Sequence, residues 1–208
     1  MSRPHAQSQP NARPQPFRAT CRLLVSALTC AALAGCAPMG PAQATLHAQR
    51  SLAPAFELEG RMSASDGSRA ASGRVEWQHD TTADRWTVFT PLGQIAAQLE
   101  SDAAGARLID GSGQLVEAPD ADTLLPQVIG VAVPVARLSR WVQAAPDGEA
   151  EVRNVDPLGR PTLIIDQGWR IEYQDYASTA ADAIPSRLDI SRGDARIRLI
   201  IDAWTRRN

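Results

Sequence analysis

Between Phe56 and Trp204 the apolar residues of this chain recur at every second position, a period that most constrains what it can fold into. Phe56, Leu58 and Met62 alternate with Glu57, Glu59 and Arg61, and Val75 and Trp77 are set against Arg74, Glu76 and Gln78. Trp86 and Val88, then Ile95, Ala97 and Leu99, then Leu108, then Leu115 flanking Val116 continue the pattern. Turn chemistry separates these runs at Asp66-Gly67, Asp80 to Asp84, Pro91-Leu92-Gly93, Ala104-Gly105 and Asp110-Gly111. Side chains alternate faces along a strand, so short alternating runs between turn residues predict an antiparallel meander with one wet and one covered face.

The period changes once. Asp120 to Gly130 carries Leu124, Leu125, Val128 and Ile129 at helical spacing, with Gly130 placed to end the helix. Pro126 fits this helix only if its first turn starts near Asp122. Pro134 suits the first position of a second helix, whose stripe is Leu138, Trp141 and Val142 and which ends before Pro146. After Asp147-Gly148 the two-residue period returns through Leu163-Ile164-Ile165, Trp169, Ile171, Tyr173, Leu188, Ile190, Ile197, Leu199 and Ile201. The expected class is mainly β with α: one antiparallel sheet of about 10–11 strands, its apolar face covered by the inserted helices as by a lid. Such an interior is either packed solid or left hollow for an apolar ligand.

The N-terminal region is different. Arg3, Arg13, Arg18 and Arg22 are its only charged side chains, and an uncharged, mostly apolar run from Leu23 leads to Leu33-Ala34-Gly35-Cys36. A basic start, a short apolar run and small residues at a cleavage point make a secretory signal. The run is shorter than the roughly 20 apolar residues that span a bilayer. A cysteine directly after Leu-Ala-Gly resembles a bacterial lipobox, which implies removal of residues 1–35 and acylation of Cys36. The alternative is an ordinary signal peptide that ends near a cysteine. In such signals, as the resemblance implies, an Asp at position 37 would hold the protein in the inner membrane, so Ala37 permits export to the outer membrane. Residues 36–54, rich in Ala, Pro, Gly and Gln, are expected to be a flexible tether in which Ala42 to Leu52 could form a short helix. Residues 55–208 are the expected domain.

Little chemistry is available. Loss of the four N-terminal Arg shifts the formal net charge from −2 to about −6, and an acidic chain without a basic tract argues against a nucleic-acid partner. Cys21 and Cys30 precede the cleavage point and Cys36 would be acylated, so no thiol remains as a nucleophile, disulfide partner or metal ligand. His47 and His79 lack metal-ligand spacing, and no Gly-x-Ser-x-Gly elbow exists. Gly111-Ser112-Gly113 reads as a hairpin turn, Asp120 and Asp122 as helix caps, and Asp80 and Asp84 as turn residues. No catalytic residue, metal or cofactor is expected. A lipid-anchored envelope hydrolase and a structural scaffold lipoprotein remain open on these residues alone.

Gly60-Arg61, Trp77, Pro91-Leu92-Gly93-Gln94, Leu124-Leu125-Pro126-Gln127-Val128-Ile129-Gly130 and Leu138-Ser139-Arg140-Trp141 occur in this order. Gln167-Gly168-Trp169-Arg170-Ile171-Glu172-Tyr173, Ile184-Pro185-Ser186-Arg187-Leu188 and Ile197 to Trp204 complete the series. Together, behind a lipobox, these motifs resemble the LolB family of outer-membrane lipoprotein receptors. One departure is local: the family tends to carry a Gly before the Pro where this chain has Ala144-Ala145-Pro146. The resemblance implies an incomplete antiparallel barrel around a hydrophobic cavity, closed by short helices, on an outer-membrane protein facing the periplasm. It implies acceptance of lipoproteins from the carrier LolA and their insertion into the outer membrane, with no bond made. The implied acyl-chain cavity is lined by Trp77, Val88, Ile95, Leu99, Leu124, Val128, Leu138, Trp141, Ile171 and Leu199. Leu92, which by physics alone could equally fold back onto the core, is implied to be an exposed residue that enters the membrane. Expected partners are loaded LolA, the acyl chains of its cargo and, through Cys36 and Leu92, outer-membrane lipids; the protein itself is expected to be a monomer.

Overall fold

The computed structural model describes residues 50–207; the expected signal, Cys36, Ala37, His47 and most of the expected tether lie outside them. Six strands come first: β1 (Phe56–Ser65), β2 (Ala70–His79), β3 (Ala83–Phe89), β4 (Ile95–Asp102), β5 (Gly105–Asp110) and β6 (Leu115–Ala118). Helices α1 (Ala121–Ile129) and α2 (Val135–Trp141) follow. Five more strands complete the chain: β7 (Glu151–Val155), β8 (Pro161–Asp166), β9 (Trp169–Tyr176), β10 (Pro185–Arg192) and β11 (Ala195–Arg206).

All eleven strands form one sheet in the order β6-β5-β4-β3-β2-β1-β11-β10-β9-β8-β7. Two meanders therefore run outward from a central pair, β1 and β11, which is antiparallel from Phe56↔Arg206 to Ser65↔Arg196. The edges β6 and β7 do not pair, so the barrel stays incomplete. Because α1 and α2 connect those two edges in the chain, the helical segment has to cross from one to the other, and its apolar side closes over the core.

Two glycines mark where strands approach too closely for a side chain. A Cβ on Gly73 would stand 2.0 Å from the carbonyl oxygen of Phe89, and one on Gly60 2.4 Å from that of Ile200. Gly60 also sits at the irregularity in the β1–β11 register. Glycine inside a strand weakens it locally and lets it bend, as a curled sheet requires.

The first helix is defined by its ends. Asp120 caps α1 by accepting the Thr123 amide at 2.8 Å, and Gly130 ends it in the left-handed conformation at φ 77°. Pro126 stands inside the helix, and having no N–H it leaves the Asp122 carbonyl without its usual partner. The Asp122 carboxyl group accepts the Val135 amide at 2.8 Å, tying α1 to the start of α2. Of the expected short helix, Ala42 to Gln49 lies outside the described residues, and Arg50 to Leu52 has no helical structure.

Candidate functional site

The covered face of the sheet and the two helices share a single apolar cluster to which almost every strand contributes. The helix α1 lies on β4, β5 and β6 and reaches β2 and β1. On the other half of the sheet, α2 is held by polar bonds. Trp141 donates from Nε1 to Asp166 Oδ2 at 2.8 Å, and the Tyr173 hydroxyl donates to the Trp141 carbonyl at 2.9 Å. Burial pushes the Tyr173 hydroxyl well above its ordinary pKa, so it remains a donor. Asp166 is only 2% exposed, and its second oxygen has no hydrogen-bond partner, the nearest cation being Arg137 at 3.6 Å. Arg137 bonds instead to Asp147 and Glu149 in the segment after α2.

In this closed arrangement the interior is filled. The void between sheet and helices measures about 10 Å³, room for one water at most. Its walls include Leu58, Trp77 and Trp86 from the strands, Ile129 and Leu138 from the helices, and Leu199 from β11. The expected hollow cavity is thus closed up by aromatic bulk: Trp77 stacks on Trp86 at 4.1 Å and meets the edge of Phe56 at 4.9 Å.

Eight of the residues assigned to the cavity — Trp77, Val88, Leu99, Leu124, Leu138, Trp141, Ile171 and Leu199 — are buried in this cluster, and Val128 is half-buried against it. Ile95 is not: it is 48% exposed. Val88 pairs with Ala97 but Phe89 pairs with Ile95, so Ala96 is an extra residue on β4. Such a bulge reverses the alternation beyond it and turns Ile95 to the outer face. Leu58, Val75, Trp86, Ile190 and Ile197 also wall the void and were all in phase with the two-residue period. Asp84 is a correction of another kind. Rather than a turn residue it is a strand residue opposite His79, and it accepts from Trp77 Nε1 at 2.7 Å and meets His79 Nδ1 at 2.8 Å. Asp80 is the turn residue, its carboxylate pKa lowered to about 2 by the Thr82 hydroxyl and the Thr82 and Ala83 amides.

Leu92 is the most exposed large apolar side chain among the described residues, at 88%. The Thr90 carbonyl accepts the Gly93 amide at 2.9 Å, and the Thr90 amide donates to the Gln94 carbonyl at 2.8 Å. With Pro91 restricting φ and Gly93 at φ 81°, the loop is a tight turn closed by a glycine bulge, and Leu92 stands at its tip.

The segment that leads into β1 is also fastened. Arg50 donates to the carbonyls of Gln143, Ala181, Asp182 and Ala183, and Gln143, in the loop behind α2, exchanges hydrogen bonds with the backbone of Ala53. Among the described residues no helix is long and apolar enough to cross a membrane, and no His, Cys, Asp and Glu cluster could hold a metal.

Residues 54–204 match the family model for outer membrane lipoprotein LolB. The chain belongs to the LolB family. It is 53% identical over 186 residues to the outer-membrane lipoprotein LolB of Azoarcus sp. (strain BH72), covering 88% of this chain and 96% of that one. It is 39% identical to the LolB of Thiobacillus denitrificans, covering 88% and 97%. A solved LolA superfamily protein from Nitrosomonas europaea aligns with 76% of this chain and 89% of its own at 10% identity and a TM-score of 0.47.

Proposed function

We infer that reception and delivery of cargo are divided between the helix-covered interior and the Leu92 turn. As a LolB-family receptor, and not an enzyme, this outer-membrane lipoprotein takes lipoproteins from LolA and inserts them into the outer membrane. A palmitoyl chain of about 15 methylenes costs on the order of 12 kcal/mol to expose to water, so an acceptor has to take over the chains without wetting them. The reading is carried by one observation: among the described residues, an apolar interior is closed by two short helices and the loops beside them, strung between unpaired sheet edges. Sites for organic ligands run to roughly 300–1,000 Å³, so the helices move outward to admit an acyl chain into a void of about 10 Å³. Cys36, acylated, holds the domain at the membrane where the cargo is released. Leu92 then enters the bilayer surface as cargo leaves.

The test is transfer. Purified protein is mixed with LolA carrying a lipoprotein, and the holder of the cargo is identified before and after vesicles are added. The native chain takes the cargo and inserts it; Leu92→Glu takes the cargo but fails to insert it. Cargo that stays on LolA overturns the reception reading, and undiminished insertion by Leu92→Glu overturns the role of Leu92.

A further inference from the structure

Six large apolar side chains are exposed among the described residues, and four of them, Leu92, Ile95, Ile109 and Leu115, gather at one end of one half of the sheet. Ile109 and Leu115 are direct cross-strand partners, and the bulge at Ala96 turns Ile95 to the same outer face. The turn from Asp110 to Gln114 copies the bonding of the Leu92 turn: the Asp110 amide donates to the Gln114 carbonyl at 3.0 Å and Gly113 to the Asp110 carbonyl at 2.9 Å. The two turns are stitched together where the Gly111 amide donates to the Ala96 carbonyl at 2.8 Å. From Phe89 to Ile95 and from Ile109 to Leu115 the only ionisable side chain is Asp110. Its carboxylate is occupied within its own turn by the Ser112 and Gln114 amides and the Ser112 hydroxyl. Elsewhere the turns at that end carry Asp66, Arg69 and Asp194.

We propose that Ile95, Ile109 and Leu115 form, with Leu92, a continuous rigid surface that lies on the lipid bilayer during delivery. This rests on the reading of Leu92 as a membrane-entering residue and extends it from a point to a face. The occupant is a lipid surface because the patch is continuous with that turn, carries no charge of its own beyond the occupied Asp110, is bordered by the Arg74 guanidinium over the Phe89 ring, and belongs to an outer-membrane lipoprotein whose anchor leaves it within reach. The chain enters β1 at the opposite end of the strands from Leu92. From Cys36 to Arg50 an extended chain covers up to about 48 Å, whereas the 10 residues of β1 span about 33 Å. The tether is thus long enough for the far end of the domain to touch the membrane that holds the anchor.

The acylated chain carries no free thiol, so single cysteines can report on the contact. The full lipid-anchored protein is placed in phosphatidylethanolamine and phosphatidylglycerol vesicles with a cysteine at position 92, 95, 109 or 115 bearing an environment-sensitive fluorophore, and LolA carrying a lipoprotein is added so that the reading is taken during delivery. Controls carry it at Glu100, on the outer face at the far end of β4, and at Leu158, in the β7–β8 turn. Brominated lipid quenches all four patch positions by about twofold or more and leaves both controls unchanged. Quenching at 92 without 109 and 115 overturns the extended surface and leaves the Leu92 reading standing. No quenching at any patch position overturns both. Equal quenching at patch and controls shows unspecific adsorption and overturns the surface as well.

Discussion

Asp166 carries more than its share of the contact between α2 and the sheet. Its carboxyl group is buried in β8, accepts the indole N–H of Trp141, and keeps one oxygen unpaired near Arg137. A buried donor left without its acceptor costs about 1–3 kcal/mol. Asp166→Ala should therefore lower the unfolding free energy in urea by about 2–4 kcal/mol, through the orphaned indole and the small void left behind. Asp166→Asn, which can still accept from Trp141, should lose less than half of that; equal losses for the two would show that the hydrogen bond contributes nothing. This bond was not legible beforehand. Asp166 and Trp141 lie 25 residues apart, and nothing in the local pattern of either announces a partner. Asp84 was hidden for a similar reason: it follows a turn, yet its contacts with Trp77 and His79 depend on the β2–β3 register.

Strands and helices were far more legible than register. Alternation located both meanders because one face is covered along nearly the whole sheet, and the capping residues Asp120 and Gly130 bound α1 where expected. Ile95 failed because a bulge is one extra residue in the ladder, and Ala96 looks no different from a residue in phase. The residues left packed and hollow interiors both open, and the hollow one implied by the family resemblance is not what this structure holds, because side-chain volume, not periodicity, decides whether a curled sheet encloses space. Some turns retain strain that can be relieved. Between β8 and β9, Gln167 at φ 48° and Gly168 at φ 80° form a two-residue hairpin turn with both residues left-handed, and Gln167 is exposed. Asn tolerates that conformation better than Gln. Gln167→Asn should raise stability by about 0.5 kcal/mol, read as an increased urea midpoint at unchanged slope; a lower midpoint would refute the assignment of strain to this residue.

At the scale of the molecule, the filled interior and the proposed reception of acyl chains inside it together require two arrangements of the same chain. The strands are held by ladders along their whole length, whereas α1 and α2 are short and have few polar ties, so the helices are the part that yields. Hydrogen exchange of residues 121–145 should speed up by about tenfold or more when the protein holds cargo, with β1, β2 and β11 unchanged. Unchanged exchange across the helices in a loaded protein would place the acyl chains outside the barrel. Arg50 and Gln143 give that motion a physical link to the tether, since both fasten the entering chain to the loop behind α2.

The strand order also has a consequence for how the molecule comes into being. Nine of the ten strand pairings join consecutive strands, but the tenth, the central ladder, joins Phe56–Ser65 to Ala195–Arg206. Contacts of such separation are the slowest to form, because the whole intervening chain is ordered before they are rewarded. A chain emerging N-terminus first therefore presents β1 with one edge open until Ala195–Arg206 arrives, and the first half of the sheet waits on β11.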